Sequence, residues 1–190
     1  IQSVRNYQNQ VTDPTLSEDV KNFFRQEAQH GIVHDQYNAV MQSQGIDVEK
    51  VISKLKLFIR LSQKYLPAKY LLAMTAAFEH ITATLGEGFM QGEGEMFKNA
   101  HPAMRAMFMW HGVEEVEHKT VAFDVYETAA GGGYFTRTSA LIVGTILVHV
   151  VVGSVLWHML KIDKLHGQPL LLAKGFYRLY GPSGLITKLI

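Results

Sequence analysis

The sequence predicts an all-α protein: a helical bundle with additional apolar helices at its C-terminal end. Three observations carry the prediction. Apolar residues recur with helical spacing over long stretches, proline and glycine punctuate the chain where helices would start and stop, and alternating apolar–polar runs and Asn-Gly hairpin signals are missing. With 190 residues, 47% of them hydrophobic and only 18% charged, the chain can bury a substantial core and is lean in charge for a protein surrounded only by water.

Residues 1–11 read as the tail of a first helix, and the absence of a methionine or signal pattern at Ile1 suggests a piece of a longer polypeptide. Asp13-Pro14 makes a turn and puts proline at the first position of a second helix, expected from Pro14 to Gln44 with Gly45 as its stop. Asp47 is an N-cap for a third, basic amphipathic helix that ends before Pro67. A fourth helix is expected from Pro67 to about Phe89, before the Gly- and Glu-containing stretch 86–95. Pro102 opens a fifth, expected to run to Gly131-Gly132-Gly133, which lacks a preceding strand and so reads as a hinge rather than a phosphate loop.

The glycine triplet also divides the chain chemically. Residues 1–133 carry 12 basic and 16 acidic side chains, whereas 134–190 carry 6 and 1, so a bundle domain over 1–133 and an apolar, basic region over 134–190 are expected. From Ser139 to Leu160 there are 22 residues without a formal charge, enough to cross a bilayer, although His149 and His158 interrupt the stretch and a buried core helix would read alike. The following residues, Leu165 to Ile190, mix apolar side chains with Lys174, Arg178 and Lys188, a pattern that suits an interfacial helix on anionic lipid. A membrane surface is the expected partner, and nucleic acid is not.

The chemistry lies in the seams of the helices. Stepping by three and four along the second helix gives Phe23, Glu27, His30, His34, Tyr37 and Met41; along the fifth it gives Met104, Phe108, His111, Glu115, His118, Ala122, Val125 and Ala129. The fourth helix contributes Leu72, Ala76, Glu79, Ala83 and Gly86. Carboxylates from three helices thus reach one depth of one core, with no lysine or arginine in these stretches of seam to pair with them. A buried carboxylate without a cation is costly, and a metal removes the conflict.

Glu-x-x-His places both side chains on one helix face with the oxygen and nitrogen ligands that iron, manganese or zinc accept. Eleven glutamates and nine histidines give about half a chance match to that pattern, but here Glu27/His30 and Glu115/His118 both fall at the centre of apolar seams. Di-iron and di-manganese bundles use two such pairs plus one glutamate from each of two further helices, and Glu79 is the first of these. The second is expected upstream of the acid-free residues 1–11. With no cysteine in the chain, every ligand must be oxygen or imidazole.

Other polar residues receive plainer readings. His34 reads as an outer neighbour of His30, and His80 points roughly 100° away from Glu79. Glu114 and Glu117 lie off the seam and read as solvated or as outer neighbours of the ligands, while Asp35 and Asp124 are candidates to orient an imidazole. Met104, Met107 and Met109 read as core and lining.

Four stretches, RNYQNQVTDP at Arg5 to Pro14, QEAQHGIVHDQY at Gln26 to Tyr37, TAAFEH at Thr75 to His80 and WHGVEEVEHKTVAFDVY at Trp110 to Tyr126, together resemble a family of bacterial proteins labelled predicted metal-dependent hydrolases, in the ferritin-like superfamily. The resemblance covers nearly the whole chain and implies that a glutamate in a Phe-Pro-x-Gly-Glu-x-Phe-Phe stretch upstream of Val4 is the missing ligand. The spacing His111-x-x-x-Glu115-x-x-His118 is also similar to that of aryl-amine N-oxygenases, which implies His111 as a further ligand.

The expected metal set is therefore Glu27, His30, Glu79, His111, Glu115 and His118, holding two ions, iron first and manganese or zinc as alternatives. Glu27 and Glu115 would bridge, and Glu79 would be terminal. The leading functional expectation is a di-iron oxidoreductase that uses O2 and an electron donor to oxidise a small apolar or lipid-like substrate at the cytoplasmic face of a bacterial membrane. Hydrolysis of an ester or phosphoester by two metals is the alternative, and a non-catalytic metal-binding bundle is the third reading. Assembly as a homodimer is compatible with each.

Overall fold

The computed structural model describes residues 1–91, 99–184 and 186–187, and among these every regular element is helical. Lys188 and most of the stretch beyond Gln91 lie outside the described residues. The chain opens with α1 (Gln2–Arg5), which gives way after Asn6 and Tyr7 to a short 3-10 turn over Gln8–Gln10. The single helical tail expected over 1–11 is thus interrupted: the chain turns at Tyr7, whose ring packs against the core, and must be extended at Asp13 ahead of Pro14.

α2 (Pro14–Ser43) starts where the backbone N–H of Thr15 donates to Asp13 Oδ1 at 2.7 Å. It ends in a Schellman motif, with Gly45 N–H donating to the Gln42 carbonyl and Ile46 N–H to the Met41 carbonyl; Gly45 takes φ +86°, open to glycine at no steric cost. α3 (Val48–Tyr65) is capped by Asp47 Oδ1, which accepts from Lys50 N–H at 3.1 Å, and it contains no buried residue. Pro67 holds Leu66 extended and so separates α3 from α4 (Ala68–Gln91). α4 continues through Gly86 and Gly88 to Gln91, two residues past the end expected near Phe89.

The largest departure concerns the fifth helix, which is two. α5 (Pro102–Glu117) stops at His118, and α6 (Val121–Thr128) resumes after Thr120. His118 keeps its N–H bond to the Glu114 carbonyl, but its own carbonyl accepts from Val121 at i+3, a tightened turn. His118 meets the acids there while Val121, Ala122, Val125 and Tyr126 remain in the core. α7 (Tyr134–Ile162) and α8 (Pro169–Tyr180) complete the order.

α4 is the central helix, packed on α1, α5, α6 and α7. Glu79 meets His118 and Gly86 meets Gly112, so α5 runs antiparallel to α4; His30 meets His111 and Glu27 meets His118, so α2 is antiparallel to α5 as well. One apolar cluster joins Val4, Val20, Phe23, Leu72, Val125, Tyr126 and Ala140, which draws α7 into the same core as the bundle.

Gly131, Gly132 and Gly133 all have positive φ (+72°, +44°, +137°), a path that L side chains rarely follow. The fully buried Tyr126 fastens this turn by donating from its hydroxyl to the Gly133 carbonyl at 2.9 Å. Tyr126→Phe should lower stability by about 1 kcal/mol, the usual net worth of such a bond. Urea unfolding of the metal-free protein measures it, with metal binding expected to stay intact.

Candidate metal centre

Phe23, Glu27 and His30 are spaced by four and three along α2, Glu79 stands on α4, and His111, Glu115 and His118 follow one another on α5 and at its C-cap. The structure brings all six predicted ligands together. His118 Nδ1 lies 3.0 Å from Glu79 Oε2 and 3.7 Å from Glu27 Oε1. His111 Nε2 lies 3.4 Å and His30 Nε2 3.8 Å from Glu115 Oε1, and the two imidazoles meet at 2.8 Å through His30 Nε2 and His111 Nδ1. Three sets of donor atoms each lie within 4.8 Å of one another: Glu27, His30 and His118; Glu79, Glu115 and His118; and His30, His34 and His111.

Burial sets the electrostatics. The Glu27 carboxyl is pushed up by burial and then by the charge on Glu79. Burial alone would lower His118, but its hydrogen bond to Glu79 and the charges of Glu79, Glu27 and Glu115 overcome that and raise it. His111 goes the other way, pushed down to about 4 by burial and by the neighbouring His30, and His34 is lowered for the same two reasons. In the metal-free protein the buried acids therefore favour the imidazolium form of His118, while His111, pushed the other way, is neutral and ready to donate a lone pair.

A metal fits this donor set. The seams hold three carboxylates and four imidazoles without a lysine or arginine among them, and the Lys119 ammonium beside the site is already bonded to Glu87 at 2.7 Å. His30 Nδ1 and His118 Nε2 are buried with no hydrogen-bond partner among the described residues, so each imidazole has more donor capacity than the protein consumes. Glu27, His30, Glu79, His111, Glu115 and His118 would hold the ions. Phe23, edge-on to His118 at 5.3 Å between ring centroids, seals the inner side.

Binding requires His118 to give up its proton. Metal addition at neutral pH should therefore release protons, and affinity should rise as the pH climbs through and above the ordinary imidazole range. His111 sets no such requirement until far lower pH. Calorimetric titrations in buffers of different ionisation enthalpy measure the release; none would contradict the role given to His118.

Two expectations need correcting or refining. Glu114 is not solvated: it is buried at 8% exposure, Oε2 has no partner among the described residues, and burial raises its carboxyl. The seam rule missed it because a residue one step off the seam is still covered when a second helix packs on the flank. Glu117 is exposed as expected and accepts from Gln26 Nε2 at 2.7 Å. His34 is exposed, its ring stacked on His30 at 4.7 Å, and Asp35 acts on it only through charge. Asp124 bonds Thr120 at the start of α6 instead of an imidazole.

A cavity of about 100 Å³ lined by Val33, His34, Tyr37, Met107, Phe108 and His111 opens between α2 and α5 onto the His30–His111 end of the site. A larger hollow of about 320 Å³, lined by Leu66, Pro67, Lys69, Tyr70 and Thr136, contains no carboxylate or imidazole and is no candidate for the chemistry.

Against this geometry stands one match: the model of a family described as predicted metal-dependent hydrolase covers residues 1–190. The chain belongs to that family. No curated protein and no solved structure matches it. Metal dependence, the property in the description of the metal-dependent hydrolase family, agrees with a donor set that accepts metal on its own physical terms.

Proposed function

We propose that this chain is a two-metal enzyme that hydrolyses an apolar ester or phosphoester presented at a membrane surface. The observation that carries the reading is the convergence of Glu27, Glu79 and Glu115 with His30, His111 and His118 beside a small, mostly apolar cavity. When bound there, a pair of divalent ions, zinc or manganese, would supply a water of lowered pKa and polarise the oxygen of the scissile group. The protein's own residues do the rest. Val33, Tyr37, Met107 and Phe108 take up the apolar part of the substrate, and Phe23 keeps water from the inner face of His118. His34, which lines the cavity with one side open to solvent and is lowered by partial burial and by the neighbouring His30, is neutral at physiological pH and available to take a proton there.

A second reading, di-iron oxidation of an apolar or lipid-like substrate by O2 with an external electron donor, is favoured by the position of His111. Its Nε2 joins the Glu115 carboxylate at 3.4 Å, giving the His-x-x-x-Glu-x-x-His cluster that is similar to aryl-amine N-oxygenases. Elemental analysis of protein purified without added metal, together with esterase and oxygen-consumption assays, separates the two. Iron-free protein with full esterase activity supports hydrolysis; iron-dependent oxygen uptake without ester cleavage overturns it in favour of oxidation. Metal-loaded protein with neither activity would leave a structural metal bundle.

The membrane setting is part of the same reading. α7 is the one described helix long and apolar enough to cross a bilayer, and only 11% of its most apolar window is buried inside the protein.

A further inference from the structure

α7 has 29 residues, with a mean hydropathy of 2.3 over its most apolar window, and could meet a bilayer along the membrane normal or in the membrane plane. Its packing decides between them. Thr136 lines a hollow with Tyr70, and a Cβ added at Gly144 would stand 3.4 Å from Ala77 Cβ and 3.7 Å from Ile81 Cδ1. α7 therefore runs beside α4 and parallel to it, with Gly144, in the first half of α7, level with Glu79, between Ala77 and Ile81. The rest of the bundle stands at that level too, since Glu27 of α2 and His118 of α5 both meet Glu79 or its partner. α2 runs parallel to α7, so if α7 stood along the membrane normal, the exposed charge of Asp35, two turns beyond Glu27, would be carried to the depth of the hydrocarbon centre, and that of Arg25 into the hydrocarbon, where charges are costly.

α8 leads to the same conclusion independently. Its Tyr180 ring lies 6.2 Å from His149, and His166, just before it, lies 6.1 Å from Trp157, so α8 folds back along the second half of α7. Twelve residues rise about 18 Å, too short to recross about 30 Å of hydrocarbon. Beside a spanning α7, Arg178 would sit near the bilayer centre.

In the plane, the same residues fit. Phe135, Ile142, Ile146 and Val150 are open on the faces of α7 turned away from α4, and Leu170, Phe176 and Tyr177 are open on α8. Arg137, Lys161, Lys164, Lys174 and Arg178 accompany them against a single acid, Asp163. Apolar side chains beside cations are what an interfacial helix on anionic lipid requires.

We propose that α7 and α8 form an in-plane anchor that lays the bundle on one leaflet of an anionic bilayer, with neither helix crossing it. The proposal rests on the membrane part of the functional reading, not on the reaction. Because the chain has no cysteine, variants that each introduce one thiol report topology directly. Ser139→Cys, Val150→Cys and Asp163→Cys, each in the whole chain, are added to preformed sealed vesicles of phosphatidylglycerol and phosphatidylcholine, then to phosphatidylcholine alone. Flotation is expected with the anionic vesicles and at least tenfold less with the zwitterionic ones. Ser139→Cys and Asp163→Cys should both react with an impermeant maleimide added outside, and Val150→Cys should be protected. Protection of either end until detergent is added means a span and overturns the proposal. No flotation, with a dimer in solution, means a second copy covers the face and overturns it too. Paired Lys174→Glu and Arg178→Glu, both exposed, should weaken anionic binding at least tenfold; unchanged binding also counts against it. Metal content and cleavage of a soluble ester, measured without vesicles in the same preparations, report separately on the reaction.

Discussion

His118→Ala is expected to strip metal from the centre and to be the most destabilising substitution within it. The imidazole is 1% exposed, packs edge-on against Phe23, and is the shared partner of Glu79 at 3.0 Å and Glu27 at 3.7 Å. Alanine removes the ring, leaves a void, and strands two partly buried carboxylates without their cation. Breaking a buried charge pair by removing one partner costs about 3–5 kcal/mol, which for a chain of this size corresponds to a fall in Tm of roughly 10 °C. Metal per chain should drop from two to one or none, because His118 belongs to two of the three donor sets. Comparison with chelator-treated wild type divides the effect: the variant should unfold below even the metal-free wild type, since it lacks the imidazolium that holds the acids when no metal does. His34→Ala, on the exposed rim, should keep its metal and most of its stability. Unchanged metal content in His118→Ala would remove this residue from the ligand set.

The seam that marks His118 could be read without coordinates because burying an apolar stripe every three or four residues fixes which side chains face inward. Glu27, His30, Glu79, His111 and Glu115 follow by the same rule, and the structure brings all of them within reach of one another. Helix starts were legible for an equally local reason: Asp13-Pro14, Asp47, Pro67 and Pro102 satisfy or block backbone bonds at their own positions.

What escaped depends on neighbours distant in sequence. No residue at 118–120 breaks a helix by itself; the break there accompanies the pull of Glu79 and Glu27 on the His118 ring. Glu114 is covered by packing on the flank of α5, which a one-helix periodicity cannot see. Gly86 falls on the seam of α4 as expected, but one helix read alone gives no reason for a glycine there. Its reason is steric and lies on another helix.

That steric reason sets the second large expected effect, on Gly86→Ala. A Cβ at Gly86 would stand 2.8 Å from the Gly112 carbonyl oxygen and 3.1 Å from its Cα, both backbone atoms of α5 that no rotamer change can move aside. In an exposed helix the same change should stabilise by up to about 1 kcal/mol, since alanine is the better helix former. Gly31, on α2 with nothing within 4 Å of its added Cβ, tests that baseline, and Gly31→Ala should raise Tm. At Gly86 the clash should reverse the sign, because overpacking a tight contact costs about 1–3 kcal/mol. The helices must part at the level of Gly112, next to His111 and one turn from Glu115, while Glu79 stays on the displaced α4. Gly86→Ala should therefore lower Tm and also weaken metal binding about tenfold or more, since displacements near 1 Å are enough to spoil a ligand or catalytic geometry. Thermal unfolding with and without chelator, alongside a metal titration, reads both effects. If Gly86→Ala instead rose in Tm as Gly31→Ala does, α4 and α5 would not be pressed together there, and the spacing of the donors would have to be set by something other than the glycine contact.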